Sequence, residues 1–130
     1  MTLPLPSEEI EQATFVQWLE LKGIPFSAIP NSTYTTSWKQ KAKNTRTGLR
    51  PGLPDLLLVL PYSCLVFIEM KKQKRGVVSP AQQQWIETLN TVPNVQAYIC
   101  YGSDEAIAVV TRLMGKSLTV TSPAESDSLF

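Results

Sequence analysis

Behind an acidic stretch of Glu8, Glu9 and Glu11, the apolar residues Phe15, Val16, Trp18, Leu19 and Leu21 recur at helical intervals, with Ser7 placed as an N-cap. This predicts an amphipathic helix over 7–22, closed by Gly23 and Pro25. The apolar run 56–60, the turn signal Pro61-Tyr62-Ser63 and the β-rich run 65–70 predict a hairpin. Ser79-Pro80-Ala81-Gln82 has the form of a capping box with proline at the first helical position, so a helix is expected over 80–89. A strand is expected at 95–101, then a turn at Gly102-Ser103 and a helix over 104–114 ended by Gly115. Residues 30–54 are polar and basic with little periodicity and read as a long loop that can hold short ordered pieces. The order predicts the α/β class, a small mixed β-sheet flanked by helices, in one domain over 1–115 with its core at about 7–114. Residues 116–130 read as a flexible C-terminal tail.

Composition narrows the chemistry. The 130 residues, 43% of them apolar, suffice for one domain with its own core. No window reaches the roughly 20 apolar residues of a membrane helix, and the first residues lack a secretory pattern. A soluble, intracellular, cytoplasmic protein is expected. Cys64 and Cys100 lie in apolar runs at a spacing unlike a thiolate metal site, and read as buried thiols. There is no histidine, which removes Ser-His and Cys-His nucleophile schemes and imidazole metal sites. Carboxylates, lysine and a hard cation remain.

The net charge of +1 conceals a strong asymmetry. Ten of the twelve basic residues lie between Lys22 and Arg75, where the only acids are Asp55 and Glu69. Such a stretch suggests a polyanion-binding surface in which two carboxylates have a separate task. Lys39, Lys41, Lys43, Arg46, Arg50, Lys72, Lys74 and Arg75 are the candidate phosphate contacts, and Trp38 a candidate for base stacking.

Strand alternation puts Glu69 and Lys71 on one face, and a hairpin partner brings Asp55 beside Glu69. A buried acid needs a counter-charge, and a divalent cation between two carboxylates supplies it. Mg²⁺ or Mn²⁺ would activate a water, with Lys71 orienting it and neutralising a phosphodiester. Each residue alone has a plainer explanation: Asp55 as a turn acid, Glu69 and Lys71 as a strand-end ion pair, Ser79 and Gln82 as a cap, Glu8 as a first-turn acid.

Together, Gly52-Leu53-Pro54-Asp55, Glu69-Met70-Lys71 and Gly76-Val77-Val78-Ser79-Pro80-Ala81-Gln82 resemble the G-x-P-D, E-x-K and G-x-x-S-x-x-Q series of the VRR-NUC (virus-type replication-repair nuclease) domain, over roughly residues 8–110. The resemblance implies the restriction-endonuclease-like core of the PD-(D/E)xK superfamily. It implies Asp55 and Glu69 as metal ligands, the Met70 backbone carbonyl as a further one, Lys71 as a catalytic assistant and Gln82 at the site. It selects Glu8, followed four residues later by Gln12, as the first-helix acid, with Glu9 and Glu11 as alternatives, and matches Asn31 to a loop asparagine. The implied function is a Mg²⁺- or Mn²⁺-dependent DNA endonuclease of replication, recombination or repair, working as a homodimer on branched DNA such as Holliday junctions. The alternative is a catalytically inactive nucleic-acid-binding module on the same scaffold, against which the intact Asp, Glu and Lys set argues.

Overall fold

The Oγ of Ser7 accepts a hydrogen bond from the Ile10 N–H at 3.2 Å and starts helix α1 (Glu8–Lys22), which Gly23 ends in the left-handed conformation at φ 68°. Strand β1 (Phe26–Ala28), helix α2 (Trp38–Arg46), strands β2 (Leu56–Leu60) and β3 (Cys64–Lys71), helix α3 (Pro80–Leu89), strand β4 (Val95–Tyr101) and helix α4 (Ser103–Val120) follow. This computed structural model describes residues 3–31, 34–74 and 76–120, with side chains in α4 as far as residue 115. Of the tail expected at 116–130, residues 121–130 lie outside the described residues, as does Arg75.

The sheet has the order β1-β2-β3-β4. β1 pairs antiparallel with β2, β2 antiparallel with β3, and β3 parallel with β4 after the crossover through α3. It is the expected small mixed sheet flanked by helices. Even-numbered residues of the hairpin, Leu56, Leu58, Leu60, Val66, Ile68 and Met70, are buried in one cluster with Phe15 and Leu19 of α1 and Ala106, Val110 and Leu113 of α4. Truncating a residue packed this way, Phe15→Ala for instance, costs about 3–5 kcal/mol. Odd-numbered positions therefore face the other side, and the register Leu56↔Ile68 puts Asp55, one step before β2, across from Glu69. At the outer edge of β4, the Asn90 amide stands in for a strand: its Oδ1 accepts from Ala97 N–H at 2.8 Å and its Nδ2 donates to Ala97 O at 3.0 Å.

The structure adds detail to the expected elements and corrects one boundary. Residues 30–54 hold an ordered piece, the nine-residue helix α2. Ser37 caps it by accepting from Gln40 N–H at 3.2 Å, the Gln40 Nε2 donates to Asn44 Oδ1 at 2.6 Å, and the Lys41 ammonium sits 5.7 Å from the centre of the Trp38 ring. No residue of α2 is buried, so it lacks the apolar stripe by which a helix is read from sequence. The short β1 has no place assigned by the pattern, since three residues carry no periodic signal. Finally, α4 continues through Gly115 to Val120; a glycine within a helix costs only about 1 kcal/mol and need not stop it.

Candidate active site

Proline and glycine set the approach of Asp55. Pro54 is fully buried, and Gly52 takes φ 97°, where a Cβ would lie 2.6 Å from the backbone carbon of Ala81 and 2.8 Å from Gln82 N. Only glycine lets this segment lie against the first turn of α3. Asp55 is then pinned to the neighbouring strand, its Oδ2 accepting from the Met70 N–H at 2.8 Å. Glu69 is 2% exposed and Lys71 7%, with Nζ 3.7 Å from Glu69 Oε2. Gly76 brings the following loop over Lys71, since a Cβ there would lie 2.9 Å from the Lys71 Cβ.

Gln82 serves two roles at once. Its Oε1 accepts from Ser79 N–H at 3.0 Å, its own N–H donates to Ser79 Oγ at 3.1 Å, and its Nε2 donates to Glu69 Oε2 at 3.2 Å. The capping box thus orients an amide whose remaining hydrogen-bonding group holds the buried carboxylate.

Carboxylate oxygens of Glu8, Asp55 and Glu69 all lie within 4.8 Å of one another. Of the three first-helix acids, Glu8 is therefore the one brought to Asp55 and Glu69. Glu11 is turned away, buried against Ser103 and Gln73. Burial pushes the Glu69 carboxyl up to about 8, and the charge of Asp55, a hydrogen bond to Asp55 and the charge of Glu8 add to it against the pull of Lys71. Three carboxylates this close, one of them buried, offer hard oxygen donors only, which fits a divalent cation.

The basic residues are distributed around this centre. Helical geometry sorts Lys39, Lys43 and Arg46, spaced by four and three residues, into one stripe of α2, and places Lys41 on another side over Trp38. Trp38 is 84% exposed. Arg50 follows in the turn, its Nη1 donating to the carbonyls of Thr45 and Leu49 at 3.1 Å each. Lys72 and Lys74 are exposed just beyond β3, and Asn31 is half-buried after β1. Trp18 packs on the core, stacked 6.1 Å from Phe15, while Trp85 is half-buried with its Nε1 donating to Pro51 O at 3.0 Å. Both thiols are free; Cys100 is buried and Cys64 half-buried.

A mixed sheet whose hairpin carries an acid, a second acid and a lysine at one end, flanked by helices, is a nuclease-like core. The VRR-NUC domain matches residues 5–104, and the chain belongs to that family of nuclease domains. A solved structure described as a VRR-NUC domain protein is 25% identical, covers 87% of this chain and 92% of its own, and superposes with a TM-score of 0.70. A second, described as a VRR-NUC domain, shares 19% identity over 82% of this chain and 97% of its own, with a TM-score of 0.58, and supports the fold alone. No curated protein matches. Among the described residues, no helix is long and apolar enough to cross a membrane.

Proposed function

We propose that this chain is a DNA endonuclease that hydrolyses phosphodiester bonds with Mg²⁺ or Mn²⁺, and that its substrates are structured or branched DNA of the four-way-junction kind. The observation that carries the reading is the convergence of Glu8, Asp55 and Glu69 within 4.8 Å, beside Lys71, in a chain of a nuclease family. Glu8, Asp55, Glu69 and the Met70 main-chain carbonyl would hold the ion. When bound, it would lower the pKa of a water and stabilise charge on the transferring phosphate.

The chain's own residues do the rest. Asp55 is fixed by the Met70 N–H and Glu69 by Gln82, so neither has to be ordered when substrate arrives. Lys71, held beside Glu69, orients the attacking water and offsets the phosphate charge without serving as a ligand. The α2 stripe of Lys39, Lys43 and Arg46, with Arg50, Lys72, Lys74 and Arg75, contacts DNA phosphates, and Asn31 contributes from the first loop. A homodimer belongs to the same proposal, since a two-fold axis would present two such sites to two strands.

The test is incubation with labelled duplex, flap, single-stranded and four-way-junction DNA, with and without Mg²⁺, alongside sedimentation of the protein. Mg²⁺-dependent cleavage strongest on the junction, by a dimer, supports the full reading. Cleavage of duplex alone overturns the branched-substrate part, and binding without cleavage at any divalent ion concentration identifies an inactive binding module.

A further inference from the structure

Glu11 is 3% exposed and sits on the same α1 stripe as Phe15 and Leu19, where an apolar residue would pack without the cost of burying a charge. Its carboxylate is fully engaged instead. Oε2 accepts from Gln73 Nε2 at 2.8 Å, and Oε1 accepts from Ser103 N–H at 3.0 Å and Ser103 Oγ at 3.1 Å. Ser103 opens α4, so the acid lies at the positive end of a helix. Gln73 lies two residues beyond Lys71. The neighbouring Gly102, at φ 99°, makes the approach possible, because a Cβ there would lie 2.8 Å from Gln73 Cγ and 3.3 Å from Glu11 Oε2. Gly102 N–H also donates to Lys71 O at 2.9 Å.

One buried carboxylate thus ties α1, the exit of β3 and the start of α4 to a single point. Apolar packing of Phe15 and Leu19 resists separation of the helix from the sheet but only weakly resists rotation. Directional hydrogen bonds to a charged group resist both. Rotation matters here: a shift of one residue in helical phase turns a side chain by about 100° and moves it about 1.5 Å along the axis. Glu8 lies one helical turn from Glu11. We propose that Glu11 is a positioning residue that holds Glu8 beside Asp55 and Glu69, and through Gln73 fixes α1 against the end of β3 that bears Lys71. The proposal rests on the reading of Glu8, Asp55 and Glu69 as a divalent-cation site.

Mn²⁺ binding to the full chain tests it, in the parent, Glu8→Gln, Glu11→Gln, Glu11→Ala and the double variant Glu8→Gln/Glu11→Ala. Glu11→Ala is expected to weaken Mn²⁺ about tenfold, the usual scale for losing a group that orients a ligand. Glu11→Gln keeps the shape, and reversal of the Gln73 amide restores a partner for the new NH₂, so affinity stays within about threefold. Glu8→Gln alone should cost about tenfold, yet less than about twofold when added to Glu11→Ala, because Glu8 is then already displaced. Parent-like affinity in Glu11→Ala, an equal Glu8→Gln effect in both backgrounds, or a Glu11→Gln loss as large as that of Glu11→Ala would each overturn the proposal, the last by showing that charge alone acts. If Glu11→Ala does not fold, the double variant Ser103→Ala/Gln73→Ala, which removes both side-chain partners and leaves Glu11 only the Ser103 N–H, replaces it with the same expected loss of sensitivity to Glu8→Gln. A parent that binds no Mn²⁺ would refute the metal reading itself. The positioning role is then decided by amide exchange in metal-free protein: faster exchange at residues 8–12 in the variant, with the sheet unchanged, supports it, and unchanged exchange there overturns it.

Discussion

Glu69 is buried with its carboxyl pushed up to about 8 by burial and the charge of Asp55, and Asp55 stands across the hairpin from it with a single main-chain donor. Asp55→Asn or Glu69→Gln removes a carboxylate with almost no change of volume, so cleavage of DNA in Mg²⁺ should fall to background while circular dichroism and melting remain those of a folded protein. Lys71→Ala should be nearly as inactive yet still bind Mn²⁺, because the ammonium is not a ligand; calorimetry separates the two kinds of loss. At Glu11 the pH dependence can be signed. Burial works to raise its carboxyl, but the hydrogen bonds from Ser103 N–H, Gln73 and Ser103 Oγ outweigh it and hold the group below its ordinary value of 4.5. The ionised form therefore stabilises the fold above about pH 4.5, and that contribution is lost as pH falls through the lowered folded value. Glu11→Gln should lower stability by about 1.5–3 kcal/mol at pH 7, the scale of hydrogen bonds to a charged group. In urea melts, this difference from the parent should shrink as the buffer is taken toward pH 3.

At the scale of elements, the turn at Gly52 and helix α2 both lack an apolar stripe, and each carries a prediction. The turn at Gly52 lies against the first turn of α3, where backbone atoms leave no room for a Cβ. Gly52→Ala should cost about 1–3 kcal/mol in strain. It should also reduce kcat, since displacing α3 draws Gln82 from Glu69. An unchanged kcat in a destabilised variant would limit Gly52 to a structural part. α2 makes a different prediction from the one its sequence invites. Read as an extended loop, Lys39, Lys41 and Lys43 would act alike; wound into a helix, Lys39, Lys43 and Arg46 share a stripe and Lys41 is committed to Trp38. Replacing Lys39, Lys43 and Arg46 together with Ala should weaken binding to every DNA sequence and reduce the slope of log K against log salt by up to about three, whereas Lys41→Ala should change it far less. Equal effects per residue, measured at several salt concentrations, would argue that the stripe is not the contact surface.

For the whole molecule, the proposed cation site would link metal, proton and stability. Glu69 is pushed up to about 8 from an ordinary 4.5, so in metal-free protein its protonated form favours folding. That contribution is complete below about pH 4.5 and is lost as pH rises through about 8. A divalent cation bound there would oppose this by taking the deprotonated group, and at a hundred times its Kd would add about 2.7 kcal/mol to stability. The rise in Tm on adding Mg²⁺ should therefore be larger at pH 8.5 than at pH 6, should be reversed by chelation, and should nearly vanish in Glu69→Gln. A rise that is independent of pH, or that survives in Glu69→Gln, would place the bound ion elsewhere.

Much of this was legible in one dimension because its causes are local. The amphipathic run before Gly23, the hairpin around Pro61-Tyr62-Ser63, the capping box at Ser79 and Gln82 and the strand at β4 each follow from short-range periodicity or capping, and all were found where the pattern put them. Period-two alternation likewise sufficed to set Glu69 beside Asp55, because the hairpin register lies within one continuous stretch. α2 carried a readable start, Ser37 followed by Gln40, but no buried face to make its pattern periodic. The choice among Glu8, Glu9 and Glu11 was beyond the sequence for another reason. All three acids occupy the first turns of one helix, and which of them meets Asp55 depends on the rotation of α1 against residues 62 and 92 positions from Glu11 along the chain. Gln73 and Ser103 fix that rotation by binding Glu11. Local hydrogen bonding and periodicity determined the elements; contacts between distant parts of the chain determined which side chains share a site.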